Sequence, residues 1–176
     1  MPDASRTTSA TLVFAGRIDR LNAAIGRTAA WLCLLVVLVQ FAVVLLRYVF
    51  GLGSIWLTET IIYGHATLFM LAAAWTLREG GHVRVDVFYA DAGPHRRALV
   101  DLCGALLLLL PFMLVLFWFA LPYVARSWAI LETSRETSGL PAVFLLKTLI
   151  PLFAVMMALQ GVAQAIRAID VLHAGR

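Results

Sequence analysis

Few side chains in this sequence could take part in chemistry, and the ionisable ones lie near the ends of long apolar runs. Arg47 and Glu59 each fall about one helical turn inside such a run, and Lys147, six residues after Pro141, reaches a similar depth. Ionisable groups within a membrane are costly and usually paired or functional, so an ion pair between Arg47 and Glu59 is predicted, which Lys147 can join. The alternative is that these side chains extend to the interface without pairing. For Glu59, whose side chain is shorter, pairing is favoured.

The sequence has no pattern typical of an enzyme. It contains no metalloprotease, serine hydrolase or phosphate-loop motif. His65 is the only histidine within an apolar run, whereas a bis-histidine haem needs two at matching depth. Cys33 and Cys103 have no partner at Cys-x-x-Cys spacing, which argues against a thiol oxidoreductase and a disulfide scaffold. We therefore expect no enzymatic activity and no bound cofactor or metal.

Other polar side chains within the apolar runs are candidates for hydrogen bonds between helices. Tyr63 and Thr67 follow Glu59 at four-residue steps, and Gln160 and Gln164 form a similar pair in the last run. Such bonds are worth only about 0.6 to 2 kcal/mol each in a membrane. The pattern indicates helix association and not a path for a polar substrate.

Membrane-spanning helices are the elements that must position these residues. Of the 176 residues, 62% are hydrophobic and 14% are charged, far from the roughly 45 to 50% apolar content of soluble domains. A hydrocarbon core about 30 Å thick needs roughly 20 apolar residues per helix. Four stretches meet this requirement: residues 29–49, 56–77, 98–124 and 141–166. The sequence predicts an all-α membrane protein whose four transmembrane helices form one domain, residues 29–169.

The basic residues predict the orientation of these helices. Ten of them precede the first span, separate the second from the third, or follow the fourth. Four lie on the other side: Arg47, Arg126, Arg135 and Lys147. By the positive-inside rule, both termini are expected in the cytoplasm. The net charge of +4 then reflects topology, so membrane lipids are expected partners and nucleic acid is not.

Short segments outside the spans are expected at the membrane interface. Residues 1–28 form a cytoplasmic segment in which apolar residues recur at helical spacing: Phe14, Ile18, Leu21 and Ile25. Asn22 falls away from that stripe. The pattern favours an amphipathic helix in the membrane plane, and the alternative is a plain extension of the first span. Residues 170–176 are expected to form a cytoplasmic tail.

The polar segment between the second and third spans carries the most distinctive motif. Gly80-Gly81 is expected to end the second helix, and His82, Arg84 and Asp86 then alternate with valines. No second strand is available for pairing, so we expect an extended or helical piece with its valines toward lipid or a partner. At the opposite end, Trp56 follows a tight turn at the outer interface, where an indole ring is favoured. Pro111 and Pro122 are expected to kink the third helix.

Taken together, these segments resemble the DctQ-type small permease subunit of tripartite ATP-independent periplasmic (TRAP) transporters. The resemblance covers Trp31 to Ile169 and rests on Arg47-Tyr48-Val49-Phe50, on Trp56 with Glu59, and on Gly81-His82-Val83-Arg84-Val85-Asp86-Val87-Phe88. Later residues resemble a subgroup often labelled for mannitol or chloroaromatic compounds: Ser127-Trp128, Glu132, Ser134, Gly139-Leu140-Pro141 and Lys147-Thr148. Many relatives carry two acidic residues after the tryptophan, whereas this chain has Thr58-Glu59.

The resemblance implies a non-enzymatic scaffold subunit in the bacterial inner membrane. Its partners would be a large multi-span permease subunit and a periplasmic solute-binding protein, in a secondary transporter for a small organic acid. The complex, and not this subunit, would use a sodium gradient. The expected structural or interface residues are Arg47, Trp56, Glu59, His82, Arg84, Asp86 and Lys147. The alternatives are a membrane anchor of an electron-transfer complex and an autonomous small proton-coupled exporter.

Overall fold

The computed structural model describes residues 3–82 and 92–174, with side chains described from Ala10 onward. Every element in these ranges is helical: α1 (Asp3–Phe50), α2 (Ile55–Arg78), α3 (Pro94–Cys103), a π-helical segment (Gly104–Leu109), α4 (Leu110–Ala129) and α5 (Val143–Ala174). The third span is one continuous helix, Pro94–Ala129, so four helices are long and apolar enough to cross a membrane. The predicted all-α fold with four spans is confirmed.

The first helix is longer than the hydrophobic pattern predicts. α1 continues from Asp3 to Phe50 without a break, and its 48 residues extend about 72 Å at 1.5 Å per residue. Phe14 and Leu21 are 51% and 52% exposed, whereas Ile18 is only 5% exposed. Ile18 and Ala15 instead pack against α5. The early part of α1 is therefore an extension of the first span that packs on α5, and not a separate helix held by the apolar stripe.

Glycine ends the second helix, as the sequence predicts. Gly80 has a φ of 69°, a left-handed conformation that glycine adopts at little cost. The N–H of Gly81 then donates to the carbonyl of Thr76 at 2.9 Å, which closes a Schellman motif. At the start of α2, Ser54 caps the helix by accepting the N–H of Leu57 at 3.3 Å.

The third span carries a distortion next to its first internal proline. Pro111 lies in the first turn of α4, immediately after the π-helical segment Gly104–Leu109. Proline has no N–H to donate and its ring crowds the carbonyl four residues earlier, so a wider π turn removes the conflict. The helix remains α-helical through Pro122 as far as Ala129.

α5 lies at the centre of the fold. It packs against α1, α2, α3 and α4, whereas α4 does not pack against α1 or α2 in the part of the chain that the structure describes. Small residues allow these close approaches. A Cβ on Gly161 would come within 2.8 Å of the Leu109 side chain. Small residues at helix contacts are typical of membrane proteins, where backbones gain from packing closely.

Large apolar side chains remain exposed on the outer helices. Trp31 and Phe41 on α1 are 73% and 62% exposed, and Trp118 and Phe119 on α4 are 73% and 70% exposed. Faces of this kind must be covered by lipid or by helices of a partner. The open arrangement around α5 therefore leaves two long apolar faces available for contact.

Candidate functional site

Polar side chains from α2, α4, α5 and the connecting loop meet at the end of the molecule that carries the turn 51–54 and the loop 130–142, which we call the loop end. The group that joins them is the loop cluster: Glu59, Ser127, Glu132, Ser134 and Lys147. The opposite end, with the start of α1 and the last turns of α2 and α5, is the terminal end.

Glu59 attaches the loop to α2 through both carboxylate oxygens. The Ser134 hydroxyl donates to Oε1, and the backbone N–H of Leu140 donates to Oε2 at 2.5 Å. The N–H of Ser134 in turn donates to the carbonyl of Leu140 at 3.2 Å. Hydrogen bonds to an ionised acceptor are roughly twice as strong as those between neutral groups. One side chain thus holds two points of the loop.

The loop can approach Glu59 this closely because position 139 is glycine. A Cβ at Gly139 would overlap the Ser134 side chain and would lie 2.7 Å from Oε1 of Glu59. That separation is closer than real Cβ atoms come to other heavy atoms. Any larger residue at position 139 must therefore displace the Ser134 side chain and the Glu59 carboxylate from their present contact.

Glu132, the second carboxylate of the loop cluster, pairs with α5. Its Oε2 lies 2.5 Å from Lys147 Nζ and accepts the Ser127 hydroxyl at 2.7 Å. The Lys147 ammonium first, and the Ser127 hydroxyl second, hold the pKa of the Glu132 carboxyl below its usual value because both bonds favour the ionised form. Lys147 also lies 4.2 Å from the centroid of the Tyr123 ring, within the range of a cation–π contact.

Trp128 completes the attachment between α4 and α5. Its indole N–H donates to the Thr148 hydroxyl at 2.8 Å, and its ring meets Phe144 edge to face with centroids 4.7 Å apart. Aromatic pairs favour this arrangement because of their quadrupoles. The two short motifs on either side of the loop, around Trp128 and around Lys147, therefore converge on the same site.

The structure corrects the predicted pair between Arg47 and Glu59. Arg47 is exposed, and among the described residues no ion pair within 4.0 Å joins it to an acid. Glu59 binds the loop instead, and Lys147 binds Glu132. Glu59 thus finds its donors in the long connection between α4 and α5, whereas Glu132, within that connection, finds its donors on α4 and α5. Arg47 remains at the surface.

Two of the remaining predicted residues are described, and neither is a member of the loop cluster. Trp56 is 52% exposed at the start of α2. His82 is exposed at the terminal end. Arg84 and Asp86 lie outside the described residues, and so does most of the valine-alternating segment to which they belong.

A second polar group joins α1 to α5 toward the terminal end, and we call it the seam: Asp19, Asn22, Gln160 and Arg167. Asn22 and Gln160 are both 0% exposed, and the Asn22 amide donates to Oε1 of Gln160 at 2.8 Å. Gln160 donates to Asp19 Oδ1 at 2.9 Å, and Arg167 donates to Asp19 Oδ2 at 2.5 Å. A buried chain of bonds like this fixes the register of two helices because any slip leaves polar groups unpaired.

The predicted interhelical hydrogen bonds are confirmed for one helix and not for the other. Gln160 reaches α1, and Gln164 donates to the Leu77 carbonyl of α2 at 3.3 Å. The Thr67 hydroxyl instead donates to the Tyr63 carbonyl of its own helix at 2.7 Å. The Tyr63 hydroxyl is buried and has no partner among the described groups.

The sequence pattern missed the α1 half of the seam. Asn22 lies away from the apolar stripe and was therefore expected on the exposed face, yet it is completely buried. The signal that identifies this face is small size and not hydrophobicity, since Ala15, Gly26 and Ala29 share it at helical spacing and are buried. Close helix contacts in membranes favour such residues.

The geometry of these clusters suits attachment of the helices and the loop to one another. The described residues contain no group of three or more histidine, cysteine and acidic side chains that could hold a metal ion. Both acids of the loop cluster are engaged in hydrogen bonds that position the loop. The arrangement therefore presents a fixed loop at one end of a four-helix framework.

Comparison with known proteins identifies the family. A family model described as "DctQ: Tripartite ATP-independent periplasmic transporters, DctQ component" matches residues 35–171. No curated protein matches this chain, and no solved structure does either. The matched range contains the whole loop cluster and the α5 half of the seam, and it covers most of the chain. The chain therefore belongs to the DctQ component family of TRAP transporters.

Proposed function

We propose that this protein braces the large permease subunit of a TRAP-type secondary transporter. The complex would take up a small organic acid delivered by a periplasmic binding protein, driven by a sodium gradient that the small subunit does not itself bind. The family match carries the proposal, because DctQ proteins are components of such transporters and are not an enzyme class.

The structure supports a bracing role through the polar bonds that join its helices and through its uncovered faces. α5 contacts every other span, and the loop cluster and the seam tie it to α1, α2 and the loop. The exposed aromatic faces of α1 and α4 offer apolar surface for helices of a larger subunit. A rigid body with uncovered apolar faces is what a static scaffold requires.

The two alternative functions each need particular side chains, and the arrangement of those side chains supports these functions less well. A proton-coupled exporter requires an acid that is free to load and release protons within the membrane. Glu59 is the candidate, and it already accepts two hydrogen bonds from the loop. An electron-transfer anchor requires paired histidines, but His65 is exposed on α2 while His82, His95 and His173 lie toward the terminal end.

We further propose that the terminal end faces the cytoplasm and the loop end faces the periplasm. Among the described residues, most basic side chains lie at the terminal end, as the positive-inside rule requires of a cytoplasmic face. The loop held by Glu59 and Glu132 would then face the compartment of the binding protein. A Ser138→Cys variant in the loop tests this orientation. We expect a membrane-impermeant maleimide to label it in intact cells whose outer membrane has been permeabilised.

Co-purification with the large permease subunit tests the proposed function. A tagged copy of this chain, expressed with the large permease subunit of its transporter, is expected to retain that permease in stoichiometric amount. Glu59→Ala releases the loop and is expected to reduce uptake by the complex, whereas Thr58→Ala removes an exposed hydroxyl that bonds only its own helix and serves as the control. Failure to retain the permease, or equal uptake by both variants and wild type, would contradict this role.

A further inference from the structure

A cavity of about 370 Å³ lies at the terminal end, where α2 ends and α3 begins beside α5. Three arginines from three different helices line it: Arg78, Arg97 and Arg167. Asp101 contributes the one carboxylate of the lining. The lining thus brings three guanidinium groups and one carboxylate together, and Glu79 and Asp19, which lie outside the lining, pair with two of those guanidinium groups.

Two of these guanidinium groups retain hydrogen-bonding capacity. Arg78 contacts Glu79 through Nη1 at 3.2 Å and is 37% exposed. Arg167 contacts Asp19 through Nη1 at 2.5 Å and is 38% exposed. Each guanidinium has five N–H donors in a planar fork, so these ion pairs occupy only part of each group. The remaining donors are available to a ligand that accepts several hydrogen bonds.

The surrounding backbone and side chains favour the same kind of ligand. α3 begins at Pro94, which lines the cavity, and Gly93 before it supplies no side-chain cap to the first turn. The start of a helix carries partial positive charge, so it attracts anions. Gln164 adds an amide, while Ala98, Ala168 and Val171 make the rest of the wall apolar.

We propose that this cavity binds a phosphate group, supplied by the headgroup of an anionic phospholipid or by free phosphate. Arginine is suited to phosphate because its planar fork matches two phosphate oxygens. The cavity also lies at the ends of three spans, the level at which headgroups meet the protein, and its apolar wall suits glycerol and the first acyl carbons. The proposal is independent of the transport role.

The test uses the purified full-length protein in detergent. Phosphatidylglycerol, phosphatidylcholine and inorganic phosphate are titrated separately, with retained lipid measured by native mass spectrometry and binding measured by the shift in thermal midpoint. We expect Arg78→Gln to weaken phosphatidylglycerol binding about tenfold, which corresponds to about 1.4 kcal/mol. Arg96→Gln removes the same charge from an exposed position outside the cavity and is expected to change the affinity by less than about twofold.

The outcomes separate the two sources and can overturn the proposal. If millimolar inorganic phosphate does not displace bound phosphatidylglycerol, the cavity is a lipid site. If inorganic phosphate displaces the lipid, and Arg78→Gln abolishes that effect of phosphate, the cavity is a site for free phosphate. Equal binding of phosphatidylglycerol and phosphatidylcholine without a phosphate effect would overturn it, and so would equal losses in the Arg78 and Arg96 variants. Two controls show whether a loss of binding in Arg78→Gln reflects misfolding. One is Arg78→Lys, which keeps the charge, and the other is the thermal midpoint of each variant measured without ligand.

Discussion

The loop cluster and the seam both join separate elements through polar side chains, but they differ in charge and in burial. The loop cluster uses two carboxylates and an ammonium, and its Glu132 and Lys147 side chains are 28% and 17% exposed. The centre of the seam is a pair of neutral amides, Asn22 and Gln160, that are 0% exposed. Both clusters hold α5 to its neighbours. They differ in whether the position in the fold permits charged side chains or only neutral ones.

Distance from water explains that difference. An ionised group at the membrane boundary keeps part of its hydration, whereas a charge deep between helices loses it and costs several kcal/mol. Neutral amides avoid that cost while still fixing the register of two helices. The one ion pair of the seam, Asp19 with Arg167, includes an arginine that is 38% exposed. The loop end is therefore expected to respond to pH through Glu132 and to small steric changes, whereas the neutral amide pair of the seam has no group that titrates.

The largest effect is expected from Gly139→Ala, which adds a Cβ where the loop meets Glu59 and Ser134. We expect a loss of about 3 kcal/mol in the free energy of unfolding, the upper end of the range for overpacking, because the clashing groups belong to the attachment itself. Tryptic cleavage after Arg135 reports release of the loop and should become faster. Gly53→Ala is the control, since a Cβ there would meet nothing within 4 Å. Unchanged cleavage in the Gly139 variant would show that the loop does not depend on this contact.

A second prediction concerns the seam. Gln160→Leu leaves the Asn22 amide with only its longer bond to the Met156 carbonyl at 3.5 Å and removes the partner of one Asp19 oxygen. We therefore expect a loss of about 1 to 2 kcal/mol in detergent unfolding titrations. Asn22→Leu combined with Gln160→Leu should cost less than the two single changes together, because the amide pair is then removed as a unit. Gln164→Leu, which loses one longer bond of 3.3 Å, is the milder control. Strict additivity would mean that the amides do not interact.

The pH dependence of stability distinguishes the loop cluster from the amide pair of the seam. The folded pKa of Glu132 is depressed, so the stabilisation from its bonds to Lys147 and Ser127 is present above the unfolded pKa and is lost as the pH falls through the folded pKa. We expect the thermal midpoint of the wild type to fall more between pH 7 and strongly acidic pH than that of Glu132→Gln. Parallel curves for the two proteins would contradict a folded-state bond to the ionised carboxylate.

The smallest effect is expected at Leu131, which links α4 to the loop. Its φ of 45° lies in the left-handed region, and the N–H of the following Glu132 donates to the Ser127 carbonyl at 3.0 Å, as in helix ends that usually carry glycine. Leu131→Gly should relieve this strain and stabilise the protein by up to about 1 kcal/mol, measured as a rise in thermal midpoint. Leu131→Ala, which keeps the strain, should not do so. A fall in the thermal midpoint of Leu131→Gly would show that the leucine side chain stabilises the protein by more than its backbone strain destabilises it.

The fold was predictable where a single physical signal identifies an element. Four apolar runs predict four spans because the bilayer thickness sets the length of each helix. Gly80-Gly81 predicts the end of α2 because glycine alone adopts the left-handed turn at little cost. The start of α1 was not predictable in this way, since an amphipathic helix in the membrane plane and an extended span give the same apolar spacing.

The polar contacts were less predictable because spacing along one helix does not show which neighbour the helix faces. Arg47 and Glu59 match in depth, yet one of the partners of Glu59 is the backbone N–H of Leu140, which no side chain in the sequence reveals. The partner of Lys147 is Glu132, in a loop whose path the sequence does not define. Asn22 was misplaced because apolar residues were taken to mark the packed face, whereas in membranes the small residues mark it.

Uptake by reconstituted proteoliposomes tests the subunit assignment most directly. This chain alone, the large permease alone, and the two together are each assayed with the solute-binding protein and a sodium gradient, using the solutes that the binding protein retains. The scaffold role predicts no uptake by this chain alone and full uptake only when both membrane subunits are present. Gradient-driven uptake by this chain alone would contradict it.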